Sequence, residues 1–571
     1  MRKNDLLVGI CDSIGYNGEG ILHHLGTTIF VPYCLCGECV EVKILKVKGN
    51  IAYAKLERVI TPSPDRVTPK CDVFYKCGGC QLQHASADVQ DRIRTQTVEN
   101  CFKKIAGIEV SVDKIVSGEN HYGYRNKLQL PIRSINNEVK IGFFREGTHN
   151  IVELDSCPIH PRWATELISV LKDFIAQYKV SCYDDETKKG LVRHMVAREI
   201  NGEFIFTLVI NGDTFKAVNG LIGRLLTKFD KFSLYLNVNK TDSNVILGDK
   251  FNLVYGKGYI NVEEFGVKYQ IGPQSFMQVN EEVKKLLYSH VLSCADVDED
   301  TIVIDGYSGA GVLSAMFAKK AKRVIGVEIV KEAVDAADGL AKSNGLSDKM
   351  QNICAPCESV LPDIIKNAKK DGNKVVVILD PPRKGVDKEI LLALKENLVD
   401  SIIYVACSPQ SLARDVGILL GKINPQNGTI TDLLPDIYQD YTIKNTVLFN
   451  MFPHTKHVET LVCLSKKTEK HINIDVEFGE GEGQLSLKKL QEELNEQKPK
   501  KKTTYKDIQA YIEEKYGFKV HTAYIAEVKR ELGLPMYDAP NAVEELKRPR
   551  SHPTAEMVEA IKDALKHFEI I

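Results

Sequence analysis

One stretch, from about residue 281 to 466, limits the fold more than any other part of the chain: short apolar, β-rich segments alternate there with segments of helical periodicity. Strands are read at Thr301–Asp305, Arg323–Glu328, Val375–Asp380 and Ser401–Cys407. Strands alternating with helices in this way make an α/β fold, a doubly wound parallel sheet of Rossmann-like type. Each of the four ends on a polar or reactive residue. In open α/β sheets ligands bind beyond the carboxyl ends of the strands, so the chemistry is sought there.

Asp305-Gly306-Tyr307-Ser308-Gly309-Ala310-Gly311 follows a strand and opens a helical stretch, and its glycines let a ligand approach the backbone closely. Glu328, 17 residues past Gly311, ends the next strand, where a carboxylate holds two ribose hydroxyls. A dinucleotide loop wants a glycine at position 314, which is Ser, so no pyrophosphate cradle is completed. S-adenosylmethionine, which has a ribose and no pyrophosphate, fits better. The alternative is a turn whose glycines serve packing alone, with Glu328 a solvated strand end.

Asp380-Pro381-Pro382-Arg383-Lys384-Gly385 follows a very apolar strand, and its prolines stiffen a loop that turns the Asp380 carboxylate toward cofactor or substrate. Twenty-seven residues after Asp380, another strand ends at Cys407, a candidate nucleophile, with a buried structural thiol as the alternative. Further on, His454, His457 and Glu459 precede the apolar Thr460-Leu461-Val462-Cys463-Leu464; Glu459 is either a general base or an ordinary strand-edge carboxylate.

The 571 residues suggest about three or four domains. Residues 6–60 read as short β-segments of a small barrel, and Thr61-Pro62-Ser63-Pro64-Asp65 as a linker. The reading divides the chain into a barrel at 1–62, a mixed α+β region at 63–275, the α/β domain at 276–466, and a linker with a helical appendage at 467–571. The appendage opens with the basic Lys498-Pro499-Lys500-Lys501-Lys502 and carries helical patterns ending at Gly517 and Gly533, with a third through Val558, Ile561, Leu565 and Phe568. Net charge is −1, so a polyanion would be held by local patches and not by the overall field. No run of eighteen uncharged apolar residues and no secretory pattern is found, which makes the cytoplasm the expected compartment and leaves no membrane partner.

Fifteen cysteines in such a chain favour reduced thiols, a metal site or a catalytic thiol over disulfides. Cys71, Cys77 and Cys80, spaced C-x5-C-x2-C, bring three thiols to one centre. An iron–sulfur cluster held by four cysteines requires one more thiolate, and zinc is the competing reading. Tyr122, Tyr124, Arg125, Lys127, Phe143, Phe144 and Arg145 add the rings and charges that hold unpaired RNA, although such a pattern is also ordinary surface.

Together, Asp380–Gly385, Cys407 in Tyr404-Val405-Ala406-Cys407-Ser408-Pro409, and Met451-Phe452-Pro453 followed by His457-Val458-Glu459 resemble the RNA uracil-5-methyltransferase family. The resemblance covers roughly residues 6–466 and is to the branch with an N-terminal TRAM barrel and an iron–sulfur cluster that acts on 23S ribosomal RNA. It implies S-adenosylmethionine-dependent methylation of uridine C5, with Cys407 as nucleophile toward C6 and Glu459 as base. It further implies cofactor contacts from Tyr307, Glu328, Asp380 and Gln278, the last in Ser275-Phe276-Met277-Gln278-Val279-Asn280. Cys157 becomes the fourth ligand, with Cys71, Cys77 and Cys80, of a [4Fe–4S] cluster, whereas Cys34, Cys36 and Cys39 stay reduced thiols. The partner implied is 23S rRNA, with no obligate protein partner; the rivals are the same reaction on transfer RNA and a non-catalytic RNA-binding iron–sulfur protein. Val312, Pro356, Ser408 and Asn450 depart from residues usual in the family, as does the Gly306-Tyr307-Ser308 turn.

Overall fold

Val375 to Leu379 are all fully buried because their strand lies in the middle of a sheet covered on both faces. Alternate residues serve alternate cores. Val375, Val377 and Leu379 pack with Leu361, Leu391 and Leu412 from the helices Cys357–Lys370, Lys388–Asn397 and Pro409–Leu419. Val376 and Ile378 pack with Leu287, Phe317 and Leu340 from Glu281–Cys294, Val312–Ala318 and Lys331–Ser343. This is a computed structural model, and it describes residues 1–135, 138–370, 372–430, 440–467, 505–532 and 552–568.

The sheet has eight strands in the order Met350–Cys354, Arg323–Glu328, Thr301–Gly306, Lys374–Leu379, Ser401–Ala406, Glu459–Lys466, Tyr441–Phe449, Lys114–Val116. The first five are parallel and Glu459–Lys466 enters antiparallel. Chain order reverses between Thr301–Gly306 and Lys374–Leu379, which opens a crevice beyond their carboxyl ends. The four strands read from the sequence lie within one residue of their expected bounds.

Residues 6–61, where a small barrel was expected, form a six-stranded sheet in which Cys39–Lys48 and Ile51–Thr61 are the long central pair. Val40, Val42 and Ile44 point into its core with Cys11 and Cys34. The Cys34–Cys39 loop is built around the fully buried Glu38, whose carboxylate accepts Leu35 N (2.8 Å) and takes the Arg66 guanidinium in a two-point pair (2.5 and 2.7 Å). A seven-stranded sheet follows, with Lys127–Ile135, Val192–Ile200, Glu203–Ile210 and Phe232–Val238 in its middle. The helix Arg162–Tyr178 lays Leu167, Leu171 and Phe174 against it.

The chain forms two compact units, Met1–Ile472 and Asn473–Ile571. In the second, the helices Tyr505–Tyr516, Thr522–Glu531 and Ala555–His567 share a core of Ile508, Ile512, Ile525, Val528, Ile561 and Leu565. The basic run Lys498–Lys502 and Gly533 lie outside the described residues. No helix among the described residues is long and apolar enough to cross a membrane.

Candidate active site

The crevice continues into a single cavity of about 1060 Å³ that runs from the carboxyl ends of the parallel strands to the cysteine-rich loop. Gln278, Tyr307, Glu328, Asp380, Cys407 and Glu459 line it, as do Cys71, Cys77, Cys80 and Cys157. The ten residues read as catalytic, cofactor-binding and metal-binding therefore reach one continuous space.

At one end, Tyr307 turns the chain with φ +67 and Gly311 with φ +71, the left-handed region. A side chain at 311 would meet Ala337 Cβ at 2.8 Å, so this glycine serves the close packing of its helix as well as the turn. Glu328 accepts Gly309 N (3.1 Å) on one oxygen and Val330 N (2.9 Å) on the other, which fixes its carboxylate at the rim. The Tyr307 hydroxyl is buried yet finds no hydrogen-bond partner among the described residues. Ile329 and Phe276 line the same cavity, 63% and 81% exposed, apolar faces that a flat heterocycle would cover. An orphaned hydroxyl, a fixed rim carboxylate and open apolar faces suit a nucleoside. Neither Ile329 nor Asp305, buried and bonded to Ser314 Oγ, was picked out as a site residue from sequence.

Midway, Cys407 ends its strand just before Ser408, the N-cap of the helix Pro409–Leu419. Burial pushes the thiol up, the Glu459 and Asp380 carboxylates push it further, and Arg383 offsets them. Glu459 is 3% exposed, and burial with the nearby Asp380 charge lifts it to about 8. The Asp380 side chain opens onto the cavity, yet the walls around it withhold enough solvent to raise it to about 6. Arg383 is the cation common to thiol and base, a role that its place in a quoted motif did not reveal.

The loop from Asp380 to Val386 is bound to the helix that follows Cys407. Ser411 Oγ donates to Arg383 O (3.0 Å), Arg414 to Lys384 O (2.9 Å), and Val386 N to the fully buried Asp415 (2.8 Å), which also takes the Tyr404 hydroxyl (2.6 Å).

At the far end, burial raises all four thiols, Cys80 to about 11 and Cys157 to about 12, and neighbouring thiol charges add to the rise at Cys77, Cys80 and Cys157. As they stand the four are neutral thiols, and as thiolates they would need a positive centre. Among the described residues no group of three or more His, Cys, Asp or Glu side chains stands where it could hold a metal ion. Of the ring-and-charge set, Arg125, Lys127 and Phe143 line the cavity, and burial lowers Lys127 to about 8. Tyr124 departs from the stacking role expected of it: it is buried, and its hydroxyl donates to Pro453 O (3.1 Å).

Comparison with known proteins agrees with a methyltransferase fold. A sequence model described as tRNA (Uracil-5-)-methyltransferase matches residues 87–467. A protein of Clostridium tetani named as an uncharacterized RNA methyltransferase is 37% identical over 476 residues, 82% of this chain and 98% of that one. One of Bacillus cereus with the same name is 34% identical over 470 residues, again 82% and 98%. The crystal structure of Pyrococcus abyssi tRNA (uracil-54, C5)-methyltransferase in complex with S-adenosyl-L-homocysteine is similar over 80% of this chain and 99% of that one, with 28% identity and a TM-score of 0.62.

Fold and comparisons together define an enzyme that methylates RNA. More narrowly, the chain belongs to the tRNA (uracil-5-)-methyltransferase family.

Proposed function

We propose that the enzyme methylates C5 of a uridine in 23S ribosomal RNA, with S-adenosylmethionine as donor. The observation that carries the chemistry is that Cys407, Glu459 and Asp380 line one cavity together with Tyr307 and Glu328. When bound, S-adenosylmethionine supplies an electrophilic methyl group. Glu328 would hold its ribose, with Gln278, Tyr307 and Asp380 as further contacts.

C5 of uracil is a weak nucleophile. The Cys407 thiolate adds to C6, which moves the electron pair to C5, and C5 takes the methyl group, whose bond to the donor's sulfonium sulfur breaks with the pair left on sulfur as a neutral thioether. Glu459 then removes the C5 proton, and the returning electron pair expels the thiolate. A carboxylate lifted to about 8 is basic enough for this near neutrality. The base must leave its stack to reach the thiol, since C6 is inaccessible within a helix. Asp380 also positions the edge of the flipped base.

Cys71, Cys77, Cys80 and Cys157 are proposed to hold a [4Fe–4S] cluster. That all four line one cavity, with Cys71, Cys80 and Cys157 in one buried cluster, supports this; zinc is the competing reading. Iron and sulfide analysis of anaerobically purified protein tests it: four of each per chain are expected, and stoichiometric zinc would replace the reading. Residues 1–62 are proposed as a TRAM-type domain and 63–275 as the cluster and RNA-binding region.

Transfer RNA is the second reading, favoured by the structural relative of nearly the same extent that acts on it. Methyl transfer from labelled cofactor to unmodified ribosomal and transfer RNA, followed by nucleoside mass spectrometry and fragment mapping, decides. 5-Methyluridine in 23S rRNA is the expected product. Label in transfer RNA alone would overturn the substrate, and no label despite cofactor binding would favour a non-catalytic RNA-binding protein.

A further inference from the structure

Glu459 is delivered by the segment Met451–Val458, which is held from outside its own sheet. Pro453 O accepts the Tyr124 hydroxyl (3.1 Å), and His454 O accepts Gln81 N (3.1 Å) and Leu82 N (2.9 Å). His454 N donates to Gln90 Oε1 (2.9 Å), Arg94 donates to Thr455 O (3.3 Å), and Lys456 N donates to Gln81 Oε1 (3.3 Å). Gln90 and Arg94 are 3% and 1% exposed, so these bonds form away from competing water. His454 sits at φ +68, which a residue with a β-carbon seldom adopts without support from its surroundings. The Gln81 amide has a second bond, Nε2 to Gly78 O (3.0 Å), between Cys77 and Cys80. One side chain thus joins the cysteine loop to the loop that carries the carboxylate.

The thiol is held differently. Cys407 precedes a helix whose side chains bond to the loop 380–386, and among the described residues neither Gln81 nor Tyr124 bonds to it. Loosening the clamp at Gln81 or Tyr124 therefore acts first on the segment that leads into Glu459.

We propose that Gln81 and Tyr124 are positioning residues for proton removal from C5, and that the cysteine loop serves that step through Gln81. The inference rests on the reading of Glu459 as the base. Proton transfer needs the carboxylate within hydrogen-bond reach of the carbon-bound proton, and a displacement of about 1 Å costs up to about a hundredfold. Addition of Cys407 to C6 and methyl transfer come earlier and do not need the carboxylate there.

The test uses Gln81→Ala, Tyr124→Phe and Glu459→Gln in full-length protein prepared anaerobically, matched for iron content, with RNA substrate and labelled S-adenosylmethionine. Tyr124→Phe removes a single oxygen and preserves the packing, so it guards against a failure to fold. Covalent protein–RNA adduct that survives denaturation is measured over time, beside cofactor affinity. Both clamp variants should accumulate labelled adduct about tenfold above the parent, with release slowed, adduct formation at the parent rate and cofactor affinity unchanged. Release at the parent rate in both, while Glu459→Gln accumulates adduct, would overturn the clamp and keep the base. No adduct from Glu459→Gln would remove the base assignment, and the clamp with it. Loss of cofactor binding and adduct formation together would assign Gln81 and Tyr124 to the fold alone and overturn the proposal.

Discussion

Cys407 and Glu459 come from neighbouring antiparallel strands whose ladder ends with Ala406 opposite Thr460, so the thiol and the carboxylate are the next facing positions. Parallel neighbours would bring two carboxyl ends together. Here an antiparallel strand begins where a parallel one stops, and one edge of the sheet holds both groups. Burial is the first cause that raises the thiol, and Glu459 is the largest of the charges that add to it.

Alkylation of Cys407 should therefore respond to its neighbours. Above about pH 8, where Glu459 carries its charge, Glu459→Gln removes that charge and lowers the thiol's pKa, so carbamidomethylation there should speed up several-fold, with little change at neutral pH. Arg383→Met removes the offsetting cation and should slow it. Peptide mass spectrometry resolves Cys407 from the other thiols across a pH series. Identical profiles in parent and both variants would mean that the three groups do not share a field.

The same carboxylate makes stability depend on pH. Glu459 titrates near 8 in the folded chain and near the ordinary 4.5 when unfolded. As pH rises from 4.5 toward 8 the unfolded state loses its proton first, so the stabilising contribution present below 4.5 is lost. Glu459→Gln escapes that loss and should be more stable than the parent at pH 7, on the order of 1–3 kcal/mol, with the gap closing toward acid pH. Thermal unfolding at several pH values checks this. A destabilised variant at pH 7 would show that the carboxylate's own contacts outweigh its desolvation.

Gly385→Ala should uncouple the two halves of the site. Gly385 has φ +82, and a β-carbon there would stand 2.5 Å from Asp415 Oδ2 and 2.9 Å from Ser411 Cβ. The new methyl must push the loop 380–386 off the helix that follows Cys407. Backbone strain and overpacking together should cost about 2–4 kcal/mol. Turnover should fall by more than cofactor affinity, because Asp380 moves relative to the thiol. Equal loss of both would point to a general collapse of the crevice.

The parallel strands were legible because Val375–Leu379 and Ile402–Ala406 are buried on both faces and read as unbroken apolar runs. The reactive residues were legible because each ends such a run. What the sequence did not reveal comes from pairing across distance. Nothing local in Glu459–Lys466 says that it enters the sheet antiparallel beside Ser401–Ala406. Tyr124 looked like a ring for stacking RNA, but whether a ring is exposed depends on what packs over it, here the segment that carries Pro453. The cysteine loop and the base are more than 370 residues apart along the chain, and only the fold makes Gln81 and Lys456 neighbours.

The cofactor end yields the last prediction. Both Glu328 oxygens are engaged by backbone N–H groups, of Gly309 and Val330, and each keeps a lone pair for a ribose hydroxyl. Glu328→Gln replaces one oxygen with a donor that faces another donor. It should weaken S-adenosylmethionine binding by about ten- to a hundredfold, the worth of a charge-assisted hydrogen bond with its partner left bare. Tyr307→Phe removes only the hydroxyl that finds no partner among the described residues, so the loss should be smaller, about threefold to tenfold. Titration calorimetry with S-adenosylhomocysteine on the two variants and the parent measures the order. Parent-like affinity in Glu328→Gln would remove the carboxylate from the ribose, and parent-like affinity in Tyr307→Phe would mean that the hydroxyl stays unpaired with cofactor bound.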